Sequence, residues 1–323
     1  MRYTSRMRAV TIADRRITVA DHPEPAPGRG EIGVRVRAAG LNGADLMQVQ
    51  GLYPAPPGVP PDIPGLELAG EVVEVGEGAT RFRPGDRVMA LLAGGAQAQV
   101  AVVDERLAMP VPASLDWNAA GGFPETFITA HDALISQCGL RGGERLLVNG
   151  AAGGVGTAAV QIGLARGAHV VASVRAPELR DGVSALGAEV VDPSGIMDLG
   201  PFDVILELVG AVNFPANLGA LATGGRIGVI GIGAGATIEL NLGQLMGRRA
   251  RISGSTLRSR TPEEKATAVR RVEADVLPLV AARRITVLVQ EAFALEAAAD
   301  AYARFQAGAK LGKIVLSVGE GGA

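Results

Sequence analysis

Between Met7 and about Leu115, apolar positions come in short runs broken by Pro/Gly turns. Ile32-Gly33-Val34-Arg35-Val36, Leu68-Ala69-Gly70-Glu71-Val72-Val73-Glu74-Val75 and Arg87-Val88-Met89-Ala90-Leu91 each read as a strand. Arg83-Pro84-Gly85-Asp86 reads as a turn. The pattern predicts a small β-rich domain, with residues 1–6 as an extension before ordered sequence begins at Met7-Arg8-Ala9-Val10. Its character changes near Trp117. A helical stretch opens at Pro124-Glu125-Thr126, with proline in the first turn, and runs to about Gln137. Strands and helices then alternate: strand 145–149, helix 155–166, strand 168–174, helix 177–186, strands 189–191 and 203–208, helix 213–222 and strand 225–231. This alternation predicts a parallel, doubly wound sheet. Arg251 to Leu257 reads as a further strand. Thr261 caps a long helix that has Pro262 at its first position. Leu311-Gly312-Lys313-Ile314-Val315-Leu316 closes the chain as a strand returning to the N-terminal domain. The stretch from Asp192 to Asp203 leaves room for only a trimmed helix.

One junction of strand and helix carries chemistry. Leu146-Leu147-Val148-Asn149 runs into Gly150-Ala151-Ala152-Gly153-Gly154-Val155-Gly156, and Thr157-Ala158-Ala159-Val160 continues as helix. Glycines at 150, 153 and 156 have the spacing of a dinucleotide-binding turn, and a second strand follows. Such a turn aims backbone N–H groups and a helix N-terminus at a pyrophosphate. A side chain at Gly153 or Gly154 would hold the phosphates away, and Gly156 lets the helix lie close to the strand. The expected contacts are Gly150, Ala152, Gly153, Gly154, Val155 and Gly156. The bland alternative is a turn rich in small residues for packing alone.

Composition narrows the function classes. At 323 residues the chain has length for about two domains. Aromatic residues make up 3% and the net charge is -2 without a basic block, which argues against nucleic-acid recognition by stacking or by electrostatics. No apolar run reaches the length of a membrane span, so the expectation is a cytoplasmic protein. The lone Cys138 excludes an internal disulfide and a cysteine-built zinc site. His22, His131 and His169 are scattered, with no ligand spacing.

Coenzyme choice is read at the end of the second strand, where a carboxylate would hold the ribose 2′-hydroxyl of NAD. Here Ala172-Ser173-Val174-Arg175-Ala176-Pro177 has no carboxylate before Glu178. Ser173 can donate a hydrogen bond and Arg175 can grip a 2′-phosphate with a bidentate fork, so NADP(H) is expected over NAD(H). A solvated surface role for Arg175 is the alternative.

Several segments together resemble the zinc-independent quinone oxidoreductases of the medium-chain dehydrogenase/reductase superfamily, in particular the subgroup that includes the tumour-suppressor-inducible quinone oxidoreductase. They are Gly40-Leu41-Asn42-Gly43-Ala44-Asp45-Leu46-Met47, Gly51-Leu52-Tyr53-Pro54, Pro64-Gly65-Leu66-Glu67, Gly153-Gly154-Val155-Gly156, Leu257-Arg258-Ser259-Arg260 and Gly312-Lys313-Ile314-Val315-Leu316. The resemblance covers Met7 to Val318. It implies an α/β protein, with a Rossmann doubly wound parallel-sheet domain plus a GroES-like β-barrel domain. Residues 1–121 and 258–323 would form the substrate-side domain and 122–257 the NADP(H)-binding domain, with the nicotinamide in the cleft between them.

By the same resemblance, Asn42, Asp45 and Tyr53 line that cleft as catalytic positions. Asn42 would position the nicotinamide ribose or the substrate, Asp45 would support its loop, and Tyr53 would contact the nicotinamide or a substrate oxygen. Thr126 flanks the nicotinamide. Gly231, Ile232, Gly233, Ser255, Thr256 and Leu257 offer backbone groups to its carboxamide. On the residues alone, Asn42-Gly43 is an ordinary turn, Tyr53 a loop cap and Arg258 a surface cation or salt-bridge partner. Gly65-Leu66-Glu67 stands where zinc alcohol dehydrogenases have Gly-His-Glu, so no metal is expected. Gln97 and Val100 stand where relatives often carry tyrosine, which would widen or repolarise the pocket. Glu207 stands where aspartate is common.

The activity implied is NADPH-dependent hydride transfer to a quinone or related conjugated carbonyl. An enoyl-thioester reductase is the runner-up, for which Arg248, Arg249 and Arg251 would have to form a basic cluster. A non-catalytic NADPH-binding protein is the reading from another class. A small-molecule acceptor and a homodimer are the expected partners, with pairing at a strand edge near 226–232 or 251–257.

Overall fold

The computed structural model describes residues 5–319. The chain forms two compact units. One comprises the chain up to Glu125, Arg258–Gly308 and the chain from Lys313 on. The other comprises Thr126–Leu257 and Ala309–Gly312.

In the first unit, Arg6–Ala13 and Arg16–Pro23 make an antiparallel hairpin. Its two-residue turn, Asp14-Arg15, holds both φ angles positive, at 49° and 58°, as a twisted two-residue hairpin requires. The N-terminal strand therefore starts at Arg6, one residue before the sequence suggests; the first part of the expected extension, residues 1–4, lies outside the described residues. The larger sheet has seven strands. Its path runs Val289–Ala294, Lys313–Ser317, Glu31–Gly40, Glu67–Val75, Arg87–Leu91 and Ala108–Pro110, and Val100–Asp104 pairs with Glu31–Gly40. Val315 lies opposite Gly40, so the chain's last strand does complete the sheet begun by its N-terminal part. The core between these strands is aliphatic: Val10, Ile32, Val34, Val36, Leu68, Val72 and Val88 are buried together.

The second unit is a six-stranded parallel sheet. From one edge to the other lie Glu189–Val191, His169–Ser173, Arg145–Asn149, Phe202–Glu207, Leu221–Val229 and Arg251–Gly254. In chain order this is 3-2-1-4-5-6, the doubly wound order that binds dinucleotides. Leu147, Val171, Phe202, Ile205 and Ile227 form its core.

Some boundaries differ from the pattern reading. Leu221 and Ala222 are strand rather than helix, because Leu221 pairs with Phe202. Strand geometry ends at Gly254, so Ser255–Leu257 is a connection. Leu242–Arg248 is a helix that the glycine-rich sequence hides, capped by the Asn241 side chain. The strand Leu221–Val229 has neighbours on both sides, so of the two expected pairing segments only Arg251–Gly254 lies at an edge of the sheet, the other edge being Glu189–Val191. The run to Gln137 is helical throughout, as an α-helix Pro124–His131 that loosens into a π-turn at Asp132–Gln137. Between Asp192 and Asp203 the helical structure is limited to a 3-10 turn at Pro193–Gly195 and the one-turn helix Ile196–Leu199.

Candidate active site

A hydrogen-bonded cluster is buried in the first unit. Glu67 opens the strand Glu67–Val75, and its Oε1 accepts from Lys313 Nζ at 2.6 Å and from Asn42 Nδ2 at 2.9 Å. Lys313 also donates to Asn42 Oδ1 at 2.8 Å and to the Leu41 carbonyl at 2.7 Å. Asn42 caps the short helix Gly43–Val49, and its backbone N–H donates to Asp45 Oδ2 at 2.8 Å. Asp45 Oδ1 takes the Gly65 N–H at 3.2 Å. A side chain at Gly40 would strike Glu67 Oε1, so this glycine is required by close approach. Burial raises the Asp45 carboxyl to about 6, against the lowering pull of the Asn42 N–H and Lys313.

Gln97 lies beneath this cluster. It is fully buried, accepts from the Tyr302 hydroxyl at 2.9 Å and donates to Asp45 Oδ2 at 3.4 Å. It therefore braces Asp45, linking it to Tyr302.

Arg258 is buried too, at 6% exposure, and is neither a surface cation nor a salt-bridge partner. Its guanidinium donates to three neutral acceptors: the Ala93 carbonyl at 2.7 Å, the Tyr53 carbonyl at 2.9 Å and Gln48 Oε1 at 2.7 Å. It also stacks on the Tyr53 ring, 5.0 Å from the centroid. Tyr53 is thus held by its backbone and its ring, and burial raises its phenol above the usual range. Glu125 follows Pro124 in the next helix, and its N–H donates to Glu67 Oε2 at 2.9 Å. Its carboxyl keeps partial solvent access. Even so, loss of hydration, with Glu67 and Asp45 nearby, pushes it up to about 8 against the pull of Lys313 and Arg258.

In the second unit, the predicted cofactor contacts from Gly150 to Leu257 lie at or beyond the carboxyl ends of the parallel strands. Gly153 caps the helix Gly154–Ala165. A Cβ at Gly156 would lie 2.4 Å from the Gly150 carbonyl oxygen, so only glycine lets the helix approach the turn. A Cβ at Gly153 would meet only that carbonyl, at 3.6 Å; this glycine leaves room in front of the helix N-terminus. These residues fit a dinucleotide pyrophosphate. The Ala152 carbonyl accepts the Gly312 N–H at 2.8 Å. Ser173 is buried at the end of its strand, while the Arg175 side chain is exposed and without a hydrogen bond or ion pair among the described residues. Glu207 is the hub of this edge. Its carboxylate accepts from the backbone of Val209 and Gly210 and from the amides of Asn149, Asn213 and Asn217.

Two family models match the chain: an alcohol dehydrogenase GroES-like domain over residues 28–113 and a zinc-binding dehydrogenase over 154–274. The human quinone oxidoreductase is 32% identical over 257 residues, 76% of this chain and 77% of that protein. The chain belongs to the quinone oxidoreductase family. This quinone oxidoreductase relative is accordingly an oxidoreductase with a GroES-like domain and a Rossmann-like parallel sheet, and its family uses a nicotinamide cofactor. Polyketide synthase GfsB of Streptomyces halstedii is 39% identical over 203 residues, 61% of this chain; the chain spans only 4% of that synthase's length. The crystal structure of an NAD-dependent alcohol dehydrogenase superposes with a TM-score of 0.86 at 30% identity, covering 97% of this chain and all of that one.

The zinc in the matched model's description finds no donor set in this quinone oxidoreductase relative. Among the described residues, no group of three or more His, Cys, Asp or Glu side chains is arranged to hold a metal ion. Glu67 is engaged by Lys313 instead. Of the residues singled out from sequence, Asn42 and Asp45 come together, and Arg258 ties Tyr53 to Gln48 on the same helix. Thr126 is buried in the helix after Glu125. Arg248 points inward to the carbonyls of Gly219 and Leu221, so no basic cluster forms with Arg249 and Arg251. Sequence reasoning missed Glu125, Lys313 and Arg180. Arg180 pairs with Asp192 beside Arg175. A charged residue inside an apolar strand, as at Lys313-Ile314-Val315-Leu316, was the available signal for one of them.

Proposed function

We propose that the protein is an NADPH-dependent, zinc-free reductase that passes hydride to a quinone or related conjugated carbonyl. The observation that carries this reading is Lys313. Its ammonium pairs with Glu67 of the Gly65-Leu66-Glu67 segment, which stands where zinc alcohol dehydrogenases have Gly-His-Glu, so the one carboxylate of that segment is already held by a protein cation. Alcohol oxidation needs a Lewis acid to stabilise an alkoxide. Reduction of an electrophilic acceptor does not; it needs positioning and exclusion of water.

Bound NADPH supplies the hydride. Residues 122–257 form the cofactor domain in this reading. Gly150, Ala152 to Gly156 and Ser173 hold the dinucleotide, and Arg175 grips the 2′-phosphate. Thr126, Gly231 to Gly233 and Ser255 to Leu257 serve the nicotinamide. Residues 1–121 and 258–323 form the substrate side, where Asn42 and Asp45 fix the loop and Tyr53 contacts the acceptor or the nicotinamide. The setting is the cytoplasm and the working form a homodimer.

The test is a panel of quinones, enones and an enoyl-CoA, each with NADPH and with NADH, on the wild type and on Arg175→Ala. Quinone or enone turnover that prefers NADPH, with the preference falling about tenfold in the variant, is the expected result. Preference for NADH, or activity that depends on added zinc, overturns it. Turnover of the thioester alone selects the second reading, an enoyl reductase, which the similarity to a polyketide synthase favours.

A further inference from the structure

The charged groups clustered in the first unit leave one acid unengaged. Glu67, Asp45, Lys313 and Arg258 are buried, and each is held by the partners given above. Glu125 differs. Its N–H bond to Glu67 fixes its backbone at the end of the Glu67–Lys313 pair, yet its carboxyl makes no hydrogen bond or ion pair to any described residue. It also keeps a path to water. Six ionisable groups of the unit couple to it electrostatically. Glu67, Asp45, Lys313 and Arg258 act on its charge, and its charge acts on Tyr53 and on Lys265 of the helix Pro262–Asp275.

Resting on the reductase reading, we propose that Glu125 is the acid that delivers the proton completing reduction of the acceptor. Hydride from the reduced nicotinamide bonds to the conjugated carbon. The C=C electron pair shifts onto the carbonyl oxygen, leaving an enolate. The Oε–H bond of Glu125 breaks and its proton passes to that enolate. Glu125, now a carboxylate, regains a proton from water through its exposed edge. Two electrons and one proton enter with the hydride and one proton with the acid, so the acceptor gains two hydrogens.

The surroundings suit the task. A carboxyl pushed up to about 8 keeps its proton at neutral pH and still releases it to a stronger base. Tyr53, the alternative donor, is a weak acid already and burial raises it further, away from neutral pH. Arg258 and Lys313 lie close enough to steady the carboxylate left behind.

The test compares wild type with Glu125→Gln, which keeps the shape but carries no acidic proton, and Glu125→Asp, which restores one. Turnover of an enone by Glu125→Gln should fall about 100-fold, with NADPH affinity unchanged and the alkaline limb of the pH profile lost. Glu125→Asp should recover part of the rate. Infrared titration of the protein without cofactor provides a second reading. A protonated-carboxyl band should persist at neutral pH, vanish near pH 8 and be missing in Glu125→Gln. Wild-type enone turnover with an unaltered rate and pH profile in Glu125→Gln overturns the proposal while sparing the reductase reading. Absence of the band at neutral pH overturns it without any assay. No turnover of any conjugated carbonyl by the wild type removes the reading on which it rests.

Discussion

Glu125 and Asp45 hold their protons at pH values where an exposed carboxyl has lost its own, and this couples them to folding. Glu125 rises from an ordinary 4.5 to about 8 and Asp45 from 3.8 to about 6. Within those windows the unfolded chain has released a proton that the folded chain keeps. Stability therefore falls as pH rises through them. The urea midpoint should be lower at about pH 8.5 than at about pH 6, and Glu125→Gln should flatten the difference. A wild-type midpoint that climbs over this range contradicts the assignment. At this scale, sequence revealed Asn42 and Asp45 because a short motif contains them. Glu125 and Lys313 act through partners 58 and more than 200 residues away, which no local pattern records. Arg258 reads as a surface cation for the same reason: the oxygens that bury it come from three other segments.

Among the elements, the strand–turn–helix from Arg145 to Ala165 was the most legible, because its glycines answer to local sterics. A methyl group at Gly156 meets the backbone of the turn, at 2.4 Å from Gly150 oxygen and 2.7 Å from Ala151. The turn or the helix must move to admit it. Gly156→Ala should weaken NADPH binding at least about tenfold and cost about 1–3 kcal/mol of stability. Calorimetric titration and urea unfolding measure the two effects, and an unchanged dissociation constant would show that the turn does not hold the cofactor. The helix Leu242–Arg248 escaped notice because its signal is an Asn cap on a short, glycine-bearing segment. The Leu221–Ala222 boundary escaped notice because a long-range pairing with Phe202 overrides local pattern.

Across the whole molecule, the parallel sheet ends in an open strand, Arg251–Gly254, and the helix before it exposes Leu242 and Met246 one turn apart. Unpaired strand edges and clustered apolar side chains are surfaces that proteins cover. This is the edge we propose for the homodimer. Light scattering should give about twice the 33.0 kDa chain mass. A double Leu242→Glu, Met246→Glu variant should run as a monomer with its circular dichroism intact, and a monomeric wild type would rule the dimer out. The route of the chain has another consequence. Apart from residues 309–312, the unit with the parallel sheet is one continuous stretch, while the other unit is begun before it and lacks a strand until Lys313–Ser317 arrives. On the ribosome, the unit started first is therefore finished last. Leu41 waits through 272 residues of synthesis for the lysine that bonds it, and a chain interrupted before Lys313 carries Glu67 with no counterion to bury beside it.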